Sequence, residues 1–218
     1  MLHPHTELRH VDDVIGYGVF ATRLIPKGTI TWVRDDLDQT FRPEELSQFA
    51  PEYQQLLGKY SFLDRLGNAV LCWDLARYIN HSCEATCLAA GYEFEVAIRD
   101  IEPGEELTDE YGTLNLQESF TCFCGRKHCR KTVLPNDVSR FWKHWDDQLR
   151  GSFTRINSVV QPLRGFLKNP AEIDEAVTDI QKMRSCRFNF YPSVYNGSSH
   201  LNGEEAVIAP AVVSCAAV

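Results

Sequence analysis

The densest chemistry in the chain is a run of three thiols within eight residues, Cys122-Phe123-Cys124-Gly125-Arg126-Lys127-His128-Cys129. A disulfide between Cys122 and Cys124 would close a strained ring. A turn carrying Gly125 can instead fold three sulfurs around one zinc ion, which in a structural site takes four ligands in a tetrahedron. The cluster reads as a zinc site one ligand short, with Cys83, Cys87, Cys72 and His128 as the choices for the fourth. Three protein ligands and an open position would make the site catalytic, and the chain has no His-Glu-x-x-His motif to support that version. A second reactive stretch, Arg77-Tyr78-Ile79-Asn80-His81-Ser82-Cys83, follows the apolar run AVLCWDLA. Asn-His-Ser is ordinary turn material when taken singly. A third stretch, Gly104 to Gly112, ends on Tyr111, whose phenol accepts or donates a hydrogen bond without carrying charge.

The elements that must position these groups are mostly short strands. Between Val14 and Tyr111 the runs GVFATRLI, TITWV, AVLCW and YEFEVAI are separated by turn signals such as Pro26-Lys27-Gly28 and Pro103-Gly104. They predict a mostly β domain. Pro43 to Lys59 predicts a helical insertion in two pieces, broken at Pro51. Beyond the cysteines the chain reads as a helical extension over residues 132–187. Phe141, Trp142, Trp145 and Leu149 mark one apolar face, and Phe153, Ile156, Val160 and Leu163 a second before Gly165. A third helix is expected from Asn169 as N-cap and Pro170 at the first position, with Glu172, Asp174 and Glu175 in its first turn and Lys182 and Arg184 in its last. Ile173, Val177, Ile180 and Met183 form its apolar stripe, read as core. Residues 188–218 lack Lys and Arg and any clear period, so an irregular tail is expected. Its end, Cys215 to Val218, has the outline of a prenylation box, but the terminal Val and the lack of upstream basic residues count against it.

Composition narrows the function classes. The chain has 218 residues, 44% of them hydrophobic and 24% charged, which excludes a disordered or collagen-like reading. The net charge of −8 belongs entirely to residues 1–131, which hold 21 Asp and Glu against 13 Lys and Arg. A negative surface repels phosphates and concentrates cationic ligands, so direct nucleic-acid binding loses favour and a basic peptide gains it. The longest apolar stretch, Ala206 to Val218, is too short and interrupted to span a membrane. The N-terminal MLHPHTELRH lacks the apolar core of an export signal, so an intracellular protein with reduced thiols is expected. Oligomeric state is left open.

Read together, Gly16-Tyr17-Gly18-Val19-Phe20-Ala21, the Asn80-His81-Ser82-Cys83 segment, Glu106-Leu107-Thr108-Asp109-Glu110-Tyr111 and Cys-x-Cys-x4-Cys from Cys122 to Cys129 stand in an order that resembles the SET-domain family of protein lysine methyltransferases. The resemblance covers roughly residues 8–131. It implies a β-clip with a knot-like core over residues 1–119 and a post-SET zinc segment over 120–131. In relatives with that segment the Cys of the Asn-His-Ser-Cys motif completes the zinc site, which here is Cys83 with Cys122, Cys124 and Cys129. The resemblance implies S-adenosylmethionine as methyl donor, with Gly16, Tyr17, Gly18, Tyr60, Arg77, Asn80 and His81 about it and Tyr111 as the catalytic residue. A surface ion pair is the alternative for Arg77. Two departures stand out. Glu84-Ala85-Thr86-Cys87 replaces the usual Pro-Asn, and Asp109 stands where the family often has a ring that helps set the number of methyls added, so the methylation state does not carry over.

The implied reaction transfers a sulfonium methyl to a lysine amine, whose free pKa is about 10.4 and which must arrive without its proton. An apolar channel and a nearby positive sulfonium both disfavour the ammonium form. No strong protein base is then needed, and the site's work is alignment. The expected partner is a Lys/Arg-rich protein or peptide such as a histone tail, added to a sheet edge. That puts the protein in the nucleus of a eukaryote, or in the cytoplasm of a bacterium or delivered to a host. The alternative is a SET-like module that binds without catalysing, since a fold alone does not guarantee activity.

Overall fold

Runs rich in β-branched and aromatic residues become short strands because each has one side to bury and a turn signal at its end. The computed structural model describes residues 1–190; of the irregular tail expected over 188–218, Phe188 and Asn189 belong to a 3-10 turn, Cys186–Asn189, and the part from Tyr191 on, with Cys215 to Val218, lies outside the described residues. In chain order the strands are β1 (Thr6–Asp12), β2 (Gly16–Ala21), β3 (Ile30–Val33), β4 (Gln39–Phe41), β5 (Ser61–Leu63), β6 (Ala69–Leu71), β7 (Asn80–His81), β8 (Cys87–Ala89), β9 (Phe94–Ala97), β10 (Glu106–Asp109), β11 (Phe120–Thr121) and β12 (Thr132–Val133). The helices are α1 (Pro43–Leu46), α2 (Pro51–Tyr60), α3 (Asp137–Phe153) and α4 (Pro170–Thr178). The strands make small sheets in the orders β1-β2-β10-β7, β3-β9-β8, β4-β6-β5 and β11-β12.

Most neighbouring strands are antiparallel, but β7 runs parallel to β10, with Asn80 opposite Thr108 and His81 opposite Asp109. That pairing lays the Asn-His segment along the strand that leads into Tyr111. Thr86 then ties the first two sheets together. Its N–H donates to the Thr108 carbonyl at 3.1 Å, and its hydroxyl accepts the Thr108 N–H at 2.8 Å. The first sheet buries Val19, Ala21 and Leu107 against Ile25 and Ile101.

The two-piece insertion forms as expected, with Pro at the first position of both α1 and α2, where its missing N–H costs nothing. The extension departs from expectation in two places. α3 runs unbroken to Phe153 and buries Trp145, Leu149 and Phe153, but the second face does not continue as a helix. Ile156 and Leu163 are buried, whereas Val160 is 83% exposed. Pro162 disfavours helix at Gln161, and the Gln161 side chain instead accepts from Ile30 N–H at 2.9 Å and donates to the Gly28 carbonyl at 2.7 Å. The third helix, α4, stops at Thr178, and Asn169 makes no side-chain cap bond. Asp179 ends it by accepting the Gln181 N–H into a separate 3-10 turn, which leaves Lys182 and Arg184 outside the helix. The stripe survives this break, with Ile173 and Met183 buried and Val177 and Ile180 packed beside them.

The extension is not an appendage. Trp145, Leu149, Phe153 and Ile173 share one core with Ile30, Leu88, Phe94 and Val96 of the second sheet. The Phe94 and Phe153 rings lie 6.0 Å apart, and Tyr92 stacks on both. Among the described residues no helix is long and apolar enough to cross a membrane.

Candidate active site and metal centre

Gly18 sits where β2, β7 and β10 converge. A Cβ there would collide with Glu106 Oε1 and come within 3.0 Å of Asn80 Nδ2 and Val11 Cγ2. Only glycine lets the chain pass this point, and the Asn80 amide uses the space to donate to the Tyr17 carbonyl at 3.0 Å and to Glu106 Oε1 at 2.8 Å. Gly16 turns with φ of +82°, and nothing stands within 4 Å of where its Cβ would be. The backbone before Gly18 is therefore open, with the Tyr17 ring 52% exposed beside it.

His81 is buried at the centre. Its Nδ1 accepts the Tyr111 N–H at 3.2 Å, which leaves Nε2 to donate toward Cys83 Sγ at 3.4 Å. Burial, and then the Arg130 charge, hold its pKa down at about 3, so the ring is neutral and acts as a spacer between the tyrosine and the thiols. The Tyr111 hydroxyl donates to the Ile79 carbonyl at 2.7 Å, which aims the phenol across the base of β7.

The Sγ atoms of Cys83, Cys122, Cys124 and Cys129 all lie within 4.8 Å of one another, an arrangement that could hold a metal ion. Of the other choices for the fourth sulfur, Cys72 and Cys87 are buried elsewhere in the core. The His128 side chain is exposed and bonded through Nδ1 to Glu84 at 2.9 Å. Glu84, one of the residues standing in place of the usual Pro-Asn, thus ties its loop to the cysteine-rich segment. Backbone N–H groups of Arg130 and Lys131 donate to the Cys83 and Cys129 sulfurs at 3.4 Å.

Arg130 is a contact that sequence reasoning missed. Its guanidinium pairs with buried Glu110 at 2.5 Å and with buried Asp137 at 3.3 Å, and lies over the Phe141 ring. It fastens the cysteine-rich segment to α3. The nearest sequence signal is the acidic start of α3, which gave no hint of a partner.

Two recesses meet at this site. One is a cavity of about 680 Å³ whose wall includes Trp32, Tyr60, Arg77, Ile79, Tyr111 and Phe120. The other is a hollow of about 10 Å³ among Ile15, Asn80, His81, Phe120, Phe123 and Cys124. The expected donor residues are therefore divided, with Asn80 and His81 at the hollow and Tyr60 and Arg77 on the cavity. Arg77 makes no ion pair among the described residues. It donates to the Trp73 and Asp74 carbonyls at 2.5 and 3.1 Å and lies over Tyr78. Tyr78, also missed, links the two groups, with its ring edge-on to Tyr17 at 6.3 Å and to Tyr60 at 5.4 Å. Its neighbours alternate in sequence between core and site, so periodicity alone could not single it out.

A parallel strand pair that sets a buried Asn-His turn against a tyrosine, with four gathered thiols behind it, defines a narrow class of proteins. Residues 16–112 match the family model of the SET domain. Histone-lysine N-methyltransferase trr of Drosophila melanogaster is 34% identical over 129 residues, which is 53% of this chain and 5% of that protein. Histone-lysine N-methyltransferase TRX1 of Oryza sativa subsp. japonica is 35% identical over 98 residues, 39% of this chain and 9% of its own. Histone-lysine N-methyltransferase 2D of Homo sapiens is 33% identical over 131 residues, 53% of this chain and 2% of its own. The match thus spans no more than 9% of any of these three relatives. The solved methyltransferase domain of human Histone-lysine N-methyltransferase SETMAR is matched over 61% of this chain and 58% of that one, at 20% identity and a TM-score of 0.43.

Proposed function

We propose that the chain is a protein-lysine N-methyltransferase that uses S-adenosylmethionine, carries one structural zinc, and acts on a lysine of a basic protein such as a histone. The observation that carries this reading is the position of Tyr111. Its phenol is anchored on the wall of the large cavity, and Phe120 lines both that cavity and the hollow bounded by Asn80 and His81.

The residues lining the hollow, with Gly16, Tyr17 and Gly18 next to Ile15 along the chain, suit the methyl donor in kind. The Cβ-free backbone at Gly16 and Gly18 offers polar groups at close range, the Asn80 amide stands beside it, and the exposed rings of Tyr17 and Phe123, the latter 54% exposed, offer faces for a purine. A volume of about 10 Å³ holds roughly one water, so binding a nucleoside requires the side chains at its rim to move aside. When bound, the donor supplies an electrophilic methyl on a sulfonium. Tyr111 holds a polar atom on the cavity wall, its ring against the Phe120 ring that both recesses share, and Ile79 fixes its direction. The apolar stretch of wall formed by Trp32, Ile79 and Phe120 excludes water from an incoming side chain and so favours a neutral amine over an ammonium. Alignment of amine and methyl is the contribution this arrangement makes.

Zinc suits the thiols. A tetrahedron with Zn–S bonds of about 2.3 Å has sulfurs about 3.8 Å apart, and Cys83 and Cys122 stand at 3.8 Å. The acidic first 131 residues suit a Lys/Arg-rich partner, and a histone substrate would make the nucleus the place of action. The alternative, binding without catalysis, is kept by Asp109 and by Glu84-Ala85-Thr86-Cys87 in place of the usual Pro-Asn. Incubation with mixed histones and a methyl-labelled donor separates the two. Transfer is expected to lysine, located by mass spectrometry, and Tyr111→Phe should lower turnover at least a hundredfold while donor affinity changes little. Absence of label on any basic protein, with the donor bound, would favour the binding module.

A further inference from the structure

Two acidic side chains lie buried where the second sheet meets the end of β10, and nothing in the reading above uses them. Glu95 of β9 and Asp109 of β10 come from different sheets, are 8% and 1% exposed, and both line the large cavity with Tyr111. Asp109 Oδ1 accepts the Glu110 N–H at 2.7 Å. Apart from the hydrogen bond the two side chains share with each other, Asp109 Oδ2 and Glu95 Oε2 have no donor, and neither carboxyl forms an ion pair among the described residues. The Trp32 indole N–H, opposite Glu95 in the strand register and on the same cavity wall, is likewise without an acceptor. Carboxyls are almost never buried without a partner unless they are neutralised or meet a ligand. We propose that Glu95 and Asp109 form the receptor for the ammonium head of the substrate side chain, drawing it toward Tyr111 and taking its proton. This rests on the lysine-methyltransferase reading of the site.

The chemistry balances without another reagent. Burial, and then the charge of Glu95, push Asp109 far up, while burial lifts Glu95 to about 7, so the pair shares one proton and carries a single negative charge near neutrality. An incoming ammonium offsets that charge. Its N–H bond then breaks with the electron pair left on nitrogen, a second O–H bond forms on the pair, and a neutral amine faces two neutral carboxyls. The other groups that act on the pair are Glu110, the thiols of Cys87 and Cys72, and the N-terminal amine. An aromatic ring in place of Asp109 would offer neither the charge nor the acceptor, so an aspartate at this position changes how the cavity receives the ammonium.

The test uses the full chain loaded with zinc, in two arms. In the first, without methyl donor, n-butylammonium is titrated at pH 8 against the wild type, Glu95→Gln, Asp109→Asn and the double variant, with 1-butanol as the uncharged control. The wild type should bind the ammonium, and the double variant should lose about tenfold or more in affinity while 1-butanol is unaffected. In the second arm, kcat/KM on a lysine peptide is followed against pH. The acid limb of the wild-type profile should move or vanish in Glu95→Gln, which a purely structural role would not cause. Thermal unfolding confirms that each variant is folded, and the single variants replace the double one if it is not. Equal ammonium binding in all folded forms, or an unmoved acid limb, overturns the proposal. Methyl transfer that persists with unchanged variants would sink the acidic receptor and leave the transferase reading standing. Ammonium binding with no transfer to any peptide would do the reverse.

Discussion

At the scale of single residues, the site is governed by what can stand beside what. Gly18 is the sharpest case, because three side chains already occupy the space a Cβ would need. Gly18→Ala should push Glu106 and Asn80 off their shared hydrogen bond and cost about 1–3 kcal/mol of stability. By calorimetry, the same variant should bind S-adenosylmethionine at least tenfold more weakly. An alanine variant with wild-type affinity would show that the donor is held elsewhere. The sequence marked this glycine only through the resemblance, and the side chains that crowd it were not legible there. Glu106 lies 88 positions away by numbering and reaches Gly18 only because β10 pairs with β2. Tyr78, Glu95 and Arg130 went unnoticed for a similar reason. A lone tyrosine, glutamate or arginine has no meaning until its neighbours are known.

At the scale of elements, the cysteine-rich segment owes its place to contacts on both sides. Leu116, Phe120, Cys122 and Val133 form a small cluster against which Tyr111 packs, and Arg130 joins the segment to α3 through Glu110 and Asp137. Metal binding in such a segment is also folding free energy. Cys124→Ser should therefore lose the metal, read as zinc per chain by atomic absorption, and lower methyl transfer although no reacting atom is touched. A chelator should do the same to the wild type. Retention of full activity after the metal is stripped would remove zinc from this account. The helices teach a separate lesson. Proline placement announced α1, α2 and the start of α4, since a missing N–H is a local matter. The end of α4 and the break after α3 were misjudged from their apolar stripes, because Ile156 and Ile180 keep packing against the core from 3-10 turns after the helix has ended.

At the scale of the whole molecule, the buried acidic pair should tilt the balance of stability against pH. The unfolded chain releases the Glu95 proton above about pH 4, whereas the folded protein keeps it until about 7. The folded form binds more protons across that interval, so the contribution of the pair to stability falls as pH rises through it. Glu95→Gln should stabilise the protein by roughly 1–3 kcal/mol at pH 8 and change little at pH 4, as measured by denaturant unfolding. A variant equally stable or less stable at pH 8 would mean that the pair is compensated in a way the structure does not reveal. The core also joins what sequence had divided, since the extension and the second sheet bury their side chains in one cluster. The sequence by itself determined the strand-rich class, the two-piece insertion, the thiol cluster and the order of motifs, because these depend on residue type and short spacing. Only the tertiary structure decided that Arg77 lies on the cavity rather than at the hollow, and that Glu95 meets Asp109. Those are encounters between segments remote along the chain, and they follow from how the sheets pair, which no local pattern records.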